Sequence, residues 1–246
     1  MEPSHDSRLR TGAIIQARMS STRLPGKVLK ELPFGSGVSD LVQVVRRVRN
    51  ASSIDSVIVA TSTGGDDDAI SVACEREGVP CFRGSLDDVL SRYVAAAVEH
   101  SLDIIIRVTS DCPCIDPTVI DMVVEKHLLG GADLTTNNLT RTFPHGLDVE
   151  AVGMDTLMRA HEQATSAFDR EHVCTYLERD EFTRANVEAP RDWFGPDIQV
   201  TLDTQADYAA LCAVYDFLGT TFDGRDIVTL FKEKPWLALI NPAGSA

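Results

Sequence analysis

No run of about 20 apolar residues occurs in the 246-residue chain, which excludes a hydrophobic helix long enough to cross a bilayer. The first ten residues, MEPSHDSRLR, have no apolar core, so a secretory leader is not expected and the cytoplasm is the expected compartment. Six cysteines stand at Cys74, Cys81, Cys112, Cys114, Cys174 and Cys212 without a C-x-x-C pair; several fall in apolar stretches, where a reduced thiol packs as a small hydrophobe. Basic residues are scarce relative to acidic ones. The 23 Lys and Arg against 37 Asp and Glu give a net charge of −14, which argues against nucleic acid or an anionic membrane as a partner. There is no low-complexity tract and no linker rich in Gly, Pro or Ser, so one domain over 11–246 is expected after a flexible lead-in at 1–10.

What is present is ordinary globular composition, 43% hydrophobic and 24% charged, in a chain long enough to bury roughly 70–75% of its unfolded surface. TGAIIQA (11–17), SVIVATS (56–62) and DIIIRVTS (103–110) are short β-branched runs of the kind buried on both faces of a parallel sheet. Helical spacing separates them. Leu41, Val44, Val45 and Val48 form one stripe, with Arg46, Arg47 and Arg49 on the remaining faces. Leu86, Val89, Leu90, Tyr93, Val94 and Ala97 form a second, and Ile120, Val123, Val124 and Leu128 a third. Asp66, Asp67 and Asp68 open another helix, where carboxylates suit the positive end of the helix dipole. The alternation predicts an α/β fold with right-handed crossovers and a doubly wound, mostly parallel sheet. After Gly130-Gly131 the rhythm loosens. Strand-like ADLTTNN and LDVEAV and helices near 153–165 and 170–179 suggest a small inserted lobe at about 131–195, before a strand-like DIQVTLDT (197–204) and a helix through Tyr208, Leu211, Cys212, Tyr215 and Leu218.

In such sheets ligands bind beyond the carboxyl ends of the strands, so the loops after 17, 62, 110 and 204 carry the candidate site. The first, IIQARMSSTRLPGKVL, has neither G-x-x-x-x-G-K-[ST] nor G-x-G-x-x-G. Its parts nonetheless suit a polyphosphate. Ser20, Ser21 and Thr22 offer hydroxyl and backbone donors, Arg18 and Lys27 supply charge from the two ends, and Pro25-Gly26 turns Lys27 back; on composition alone a solvated surface loop is equally open. In TSDCPCIDP, Asp116-Pro117 reads as a helix start with Asp116 as N-cap, whereas Asp111 at the strand end is open between a turn residue and a ligand for a phosphate-bound Mg2+. Asp203 ends the late apolar run, with Asp203 or Thr204 capping the next helix; two strand-end aspartates on neighbouring strands could clamp a metal-bound nucleotide. The lobe adds His145, Asp148, Glu150, Arg170, Glu171 and His172, whose spacing is no recognised zinc pattern and which better suit recognition of an anionic or polyhydroxylated ligand.

IIQARMSSTRLPGKVL, FRGSLDDVLSRY, RVTSDCPCIDP, FPHGLDVE, REHV and TLDTQADY, in that order over about residues 11 to 218, resemble the acylneuraminate cytidylyltransferase family, most nearly its spore-coat polysaccharide branch. The first motif is also similar to the start of 3-deoxy-manno-octulosonate cytidylyltransferase. The resemblance implies a nucleotide-diphosphosugar transferase fold and transfer of CMP from CTP to a sugar or sugar acid, with release of pyrophosphate, for surface polysaccharide or glycan biosynthesis. It further implies that Arg18 and Lys27 hold the triphosphate with help from Ser20 and Ser21, that Asp111 and Asp203 bind Mg2+, and that Arg83, Gly84 and Ser85 lie near the base and ribose. His145, Asp148, Glu150, Arg170 and His172 would face the acceptor, with His145 or Asp148 as candidate general base, and a homodimer is expected. Relatives acting on sialic acid carry A-R-G-G-S where this chain has ARMSSTR, so sialic acid is not the expected acceptor. Arg23 has no assigned role. Two other readings stand beside this one: a metal-dependent glycosyltransferase using a nucleotide sugar, and a catalytically silent nucleotide-binding module.

Overall fold

The computed structural model describes residues 8–241, and most of the expected lead-in lies outside them. Its last residue is already tied down, Arg10 accepting a backbone hydrogen bond from Asp103 and donating to the Asp103 carboxylate at 2.7 Å. Seven strands form one sheet: β1 (Thr11–Gln16), β2 (Ser56–Ser62), β3 (Cys81–Gly84), β4 (Ile104–Thr109), β5 (Leu134–Thr136), β6 (Glu150–Gly153) and β7 (Arg184–Asn186), in the order β3-β2-β1-β4-β6-β5-β7. The pairs among β1, β2, β3 and β4 are parallel; β6 runs antiparallel to both β4 and β5, and β7 is parallel to β5.

The apolar runs are continuous because the central strands are covered on both faces. Ala13 and Ile15 of β1 join one core with Val57 and Val59, beneath α1 (Asp40–Arg49), α2 (Asp68–Glu77) and α4 (Pro117–Gly130), while Ile14 and Ile58 face the other, beneath α3 (Val89–Glu99) and α5 (Met154–Gln163). Ile14 and Ile15 are fully buried, and burial of such a side chain stabilises by roughly 1.5–3 kcal/mol. All six cysteines are free, and no described helix is long and apolar enough to cross a membrane.

Residues 131–195 do not stand apart from the sheet. They supply β5, β6 and β7 to it, together with α5 and α6 (Ala167–His172). The helix expected at 170–179 starts earlier, capped by the Ser166 hydroxyl, and ends where Val173 takes a positive φ of 61°; a 3-10 turn follows at Thr175–Glu178. The strand expected at 197–204 is extended but outside the sheet, because β4 is already flanked by β1 and β6. Its backbone instead pairs with loops: Ile198 and Val200 exchange 2.8 Å hydrogen bonds with His145, and Leu202 donates to the Asp111 carbonyl at 2.8 Å. Helix α7 (Gln205–Leu218) follows, opened by a capping box between Thr204 and Asp207; then come α8 (Gly224–Glu233) and α9 (Leu237–Ile240).

Candidate active site

The loop after β1 is folded back on itself by Gly26, which has φ 68° and donates to the Met19 carbonyl at 3.1 Å. Lys27 is thereby turned beneath the sheet's carboxyl edge. Its Nζ donates to Asp203 Oδ1 at 2.9 Å, Asp111 Oδ2 at 3.1 Å and the Leu202 carbonyl at 2.7 Å. Thr204 caps α7 and Asp116 caps α4, accepting from the Thr118 amide, so capping duty falls on neither Asp111 nor Asp203. Burial disfavours the Lys27 ammonium, but the Asp111 and Asp203 carboxylates outweigh it and hold its pKa above the usual lysine value. Burial likewise opposes an ionised Asp111, yet the Lys27 charge and hydrogen bonds from Thr109 and Lys27 hold that carboxyl below the usual range.

Two clefts meet at this cluster. The larger, of 470 Å³, is lined by Arg18, Ser20, Ser21, Thr22, Arg23 and Lys27 of the first loop, and by Arg92, Arg107, Asp111, Glu171, His172 and Asp203. The smaller, of 200 Å³, is lined by Asn138, His145, Asp148, Glu150 and Thr201 and shares Arg107, Thr109, Asp111 and Asp203 with the first. Arg23 pairs with Asp203 at 3.1 Å and Arg18 with Glu171 at 3.3 Å. In the smaller cleft His145 Nε2 lies 3.5 Å from Asp148, which Arg141 also holds at 2.7 Å. Glu150 is bound to Arg107 at 2.6 Å.

Some expected residues lie elsewhere. Arg83, Gly84 and Ser85 line neither cleft: the Arg83 guanidinium donates to the carbonyls of Ser62 and Gly64 and pairs with Asp68 at 2.6 Å, joining the ends of β2 and β3. Arg170 also lines neither, because Asp88 and the carbonyls of His161 and Ala164 consume its donors. His172 sits in the larger cleft, with the exposed Phe168 ring 4.4 Å from its own. Arg47, expected on an outer face of its helix, is buried and donates to the carbonyls of Ile115 and Phe222, which pins the loop after β4.

Three contributors were missed from the sequence. Arg107 is half-buried within β4, and Glu150 outweighs the penalty of burial to hold its pKa up. Its signal was a cation inside an apolar run, which a buried strand tolerates only with a partner. Arg92 lies within the apolar stripe of α3. Asp67 does not serve the α2 dipole alone: its carboxylate accepts from the Met19 amide at 2.7 Å and from Ser62, fastening the first loop to the end of β2.

Among the described residues no group of three or more His, Cys, Asp or Glu could hold a metal ion by itself. Asp111 and Asp203 converge on one cation as two hard oxygen donors, a set that suits a divalent ion whose other ligands come from phosphate.

Residues 12–216 match the model of the cytidylyltransferase family. The chain is 34% identical over 232 residues to the spore coat polysaccharide biosynthesis protein SpsF of Bacillus subtilis, covering 90% of this chain and 94% of that one. Its backbone superposes on a cytidylyltransferase from Leptospira borgpetersenii with a TM-score of 0.87 and 32% identity, over 94% of this chain and 97% of the other. It also superposes on CMP:2-keto-3-deoxy-manno-octonic acid synthetase, solved with CTP, with a TM-score of 0.64 over 85% and 99%; at 18% identity this likeness concerns the nucleotide-diphosphosugar transferase fold.

Proposed function

Because the chain belongs to the cytidylyltransferase family, we propose that it transfers CMP from CTP to a hydroxyl of a sugar or sugar acid and releases pyrophosphate. The observation that carries the reading is the Lys27, Asp111 and Asp203 cluster at the junction of two clefts, one rich in cations and one lined by hydrogen-bonding groups. The larger cleft takes the nucleotide. Arg18, Arg23 and Lys27, with Ser20 and Ser21, grip the triphosphate. The smaller takes the acceptor, oriented by His145, Asp148 and Asn138.

The acceptor oxygen attacks the α-phosphorus in line, and the bond to the β-phosphate oxygen breaks as pyrophosphate leaves. Negative charge grows on the departing group, where Lys27 and the loop arginines offset it. The hydroxyl proton passes to His145, whose ring Asp148 orients at 3.5 Å. Asp111 and Asp203 would hold Mg2+, which when bound supplies charge neutralisation on the phosphates. No protein nucleophile is required. Arg107, held by Glu150 at 2.6 Å, lines both clefts and so would lie between the two substrates.

The test is pyrophosphate release from CTP and Mg2+ with a panel of sugars and sugar acids. Release that depends on one acceptor class supports the reading. Tight CTP binding with no release for any acceptor refutes it in favour of a silent binding module. The proposal includes a cytoplasmic homodimer, which sedimentation of the full chain checks directly.

A further inference from the structure

The two clefts that meet at Lys27 carry opposite charge. Five cations face three carboxylates in the larger one, whereas the smaller is lined by a single cation, Arg107, and by the carboxylates of Asp111, Asp148, Glu150 and Asp203. The cations that answer those carboxylates are already engaged. Glu150 holds Arg107 at 2.6 Å, and with side chains 11% and 15% exposed the pair is little screened by solvent. Arg141 reaches both oxygens of Asp148, at 2.7 and 3.5 Å. Asp111 and Asp203 are answered by Lys27 and Arg23, which line the larger cleft and not the smaller.

Filling the larger cleft with CTP sharpens this asymmetry. Lys27 and Arg23 turn to the phosphates, and a divalent ion at Asp111 and Asp203 is outnumbered by those carboxylates and the triphosphate beside it. His145 must be neutral to take the hydroxyl proton, so it brings no charge either. A carboxylate or phosphate on the acceptor would then lose its water beside like charge, with no unpaired cation among the described lining residues to receive it. That penalty is worth at least about 10-fold in affinity. Hydroxyls meet no such barrier. A carboxylate only accepts hydrogen bonds, whereas a hydroxyl both donates and accepts, so it can use the acidic lining directly. Asn138 supplies the complementary donor: its Oδ1 accepts from the Thr136 hydroxyl at 3.0 Å, and its Nδ2 makes no hydrogen bond among the described residues.

We infer that the acceptor is a sugar or polyol without an anionic group, recognised through its hydroxyls, and that sugar acids and sugar phosphates are excluded by the paired charges of the smaller cleft. The assignment rests on the proposed cytidylyl transfer. The bond formed still joins the acceptor oxygen to the α-phosphorus, so the product is a phosphodiester of CMP with one negative charge.

The experiment is pyrophosphate release by the full chain from CTP and Mg2+ with two sets of acceptors. One is matched pairs that differ by a carboxylate: glucose and glucuronate, galactose and galacturonate, mannose and mannuronate. The other is a protein-free small-molecule extract of the cells that make the protein, split at pH 7 on an anion-exchange resin. Release should come with the unretained fraction, and in any pair that reacts the neutral member should have the higher kcat/KM by at least about 10-fold. Release confined to the retained fraction, or a preferred acid, would overturn the assignment while leaving cytidylyl transfer standing. No release with the unsplit extract would remove the transfer reaction itself, and this assignment with it. Asp148→Asn adds a test by binding, read by saturation-transfer NMR because Asp148 also orients His145. The variant leaves Arg141 without its carboxylate, so glucuronate should bind it about 10-fold more tightly than it binds wild type. No gain would mean that charge pairing is not what keeps acids out.

Discussion

Replacing Lys27 by Met tests the charge cluster through stability, independently of catalysis. The two carboxylates bind one Nζ at 3.1 and 2.9 Å, so in the variant their oxygens stand no more than about 6 Å apart with nothing between them. At an effective dielectric near 20, two unit charges at that distance repel by about 3 kcal/mol. The Leu202 carbonyl also loses its partner, at a cost of about 1 kcal/mol. The Asp111 and Asp203 side chains are 29% and 20% exposed, so solvent relieves part of this, and the net loss at pH 7 is about 2–3 kcal/mol. The penalty shrinks as pH falls, in a defined way. In the wild type the Asp111 pKa is depressed below 3.8, so its contribution is present above that value and lost as pH falls through the depressed one. Without Lys27, burial and Asp203 raise the pKa above 3.8, and protonation on acidification relieves the repulsion. Urea unfolding at pH 7 and near pH 5 should therefore show the gap between wild type and Lys27→Met narrowing at the lower pH. An equal gap at both values, or a variant as stable as the wild type, would refute the cluster as an electrostatic unit.

Asp111→Asn and Asp203→Asn should each abolish pyrophosphate release while far-ultraviolet circular dichroism stays unchanged; turnover near the wild-type rate at saturating Mg2+ would remove that residue from the proposed metal site. Asp67→Ala frees the Met19 amide and should raise KM for CTP with a smaller effect on kcat, measured by initial rates. Gly146 has φ 108°, and a Cβ there would lie 2.8 Å from the Val200 carbonyl group, so Gly146→Ala should cost about 1–3 kcal/mol in chemical denaturation. The same variant displaces the His145 and Asp148 loop, and acceptor KM should rise more than CTP KM.

Strands β1, β2 and β4 were legible because burial on both faces leaves an uninterrupted apolar run, whereas β3, CFRG, is half-buried along its length and has no such signature. DIQVTLDT misleads for a related reason. Ile198, Val200 and Leu202 alternate as in a strand, but a sheet edge must be free to receive it, and sequence carries no record of which edges are taken. The site was legible where charge sat at a strand end or in the first loop, as with Lys27, Asp111 and Asp203. Arg83 and Arg170 misled because a guanidinium announces donors, and the backbone carbonyls that use them up are tertiary information. Asp67 shows the converse: its helix-start position is visible, and its bond to an amide 48 residues away is not.

The acidic chain and the cation-rich cleft are compatible because electrostatics at the site is local. Over the whole protein the net charge is −14. Around the larger cleft, Arg18, Arg23, Lys27, Arg92 and Arg107 outnumber Asp111, Glu171 and Asp203. At physiological ionic strength exposed charges farther than about 8 Å are largely screened, so a ligand in the cleft responds mainly to this lining. Pairing matters as much as count. Most of these cations already have carboxylate partners, which offset their repulsion while the cleft holds no anion. A triphosphate must exchange those contacts for its own, so what it gains is the difference between two sets of ion pairs. Arg92 is outside that exchange, because among the described residues it forms no ion pair. Loop arginines that trade partners in this way grip a triphosphate whatever base it carries.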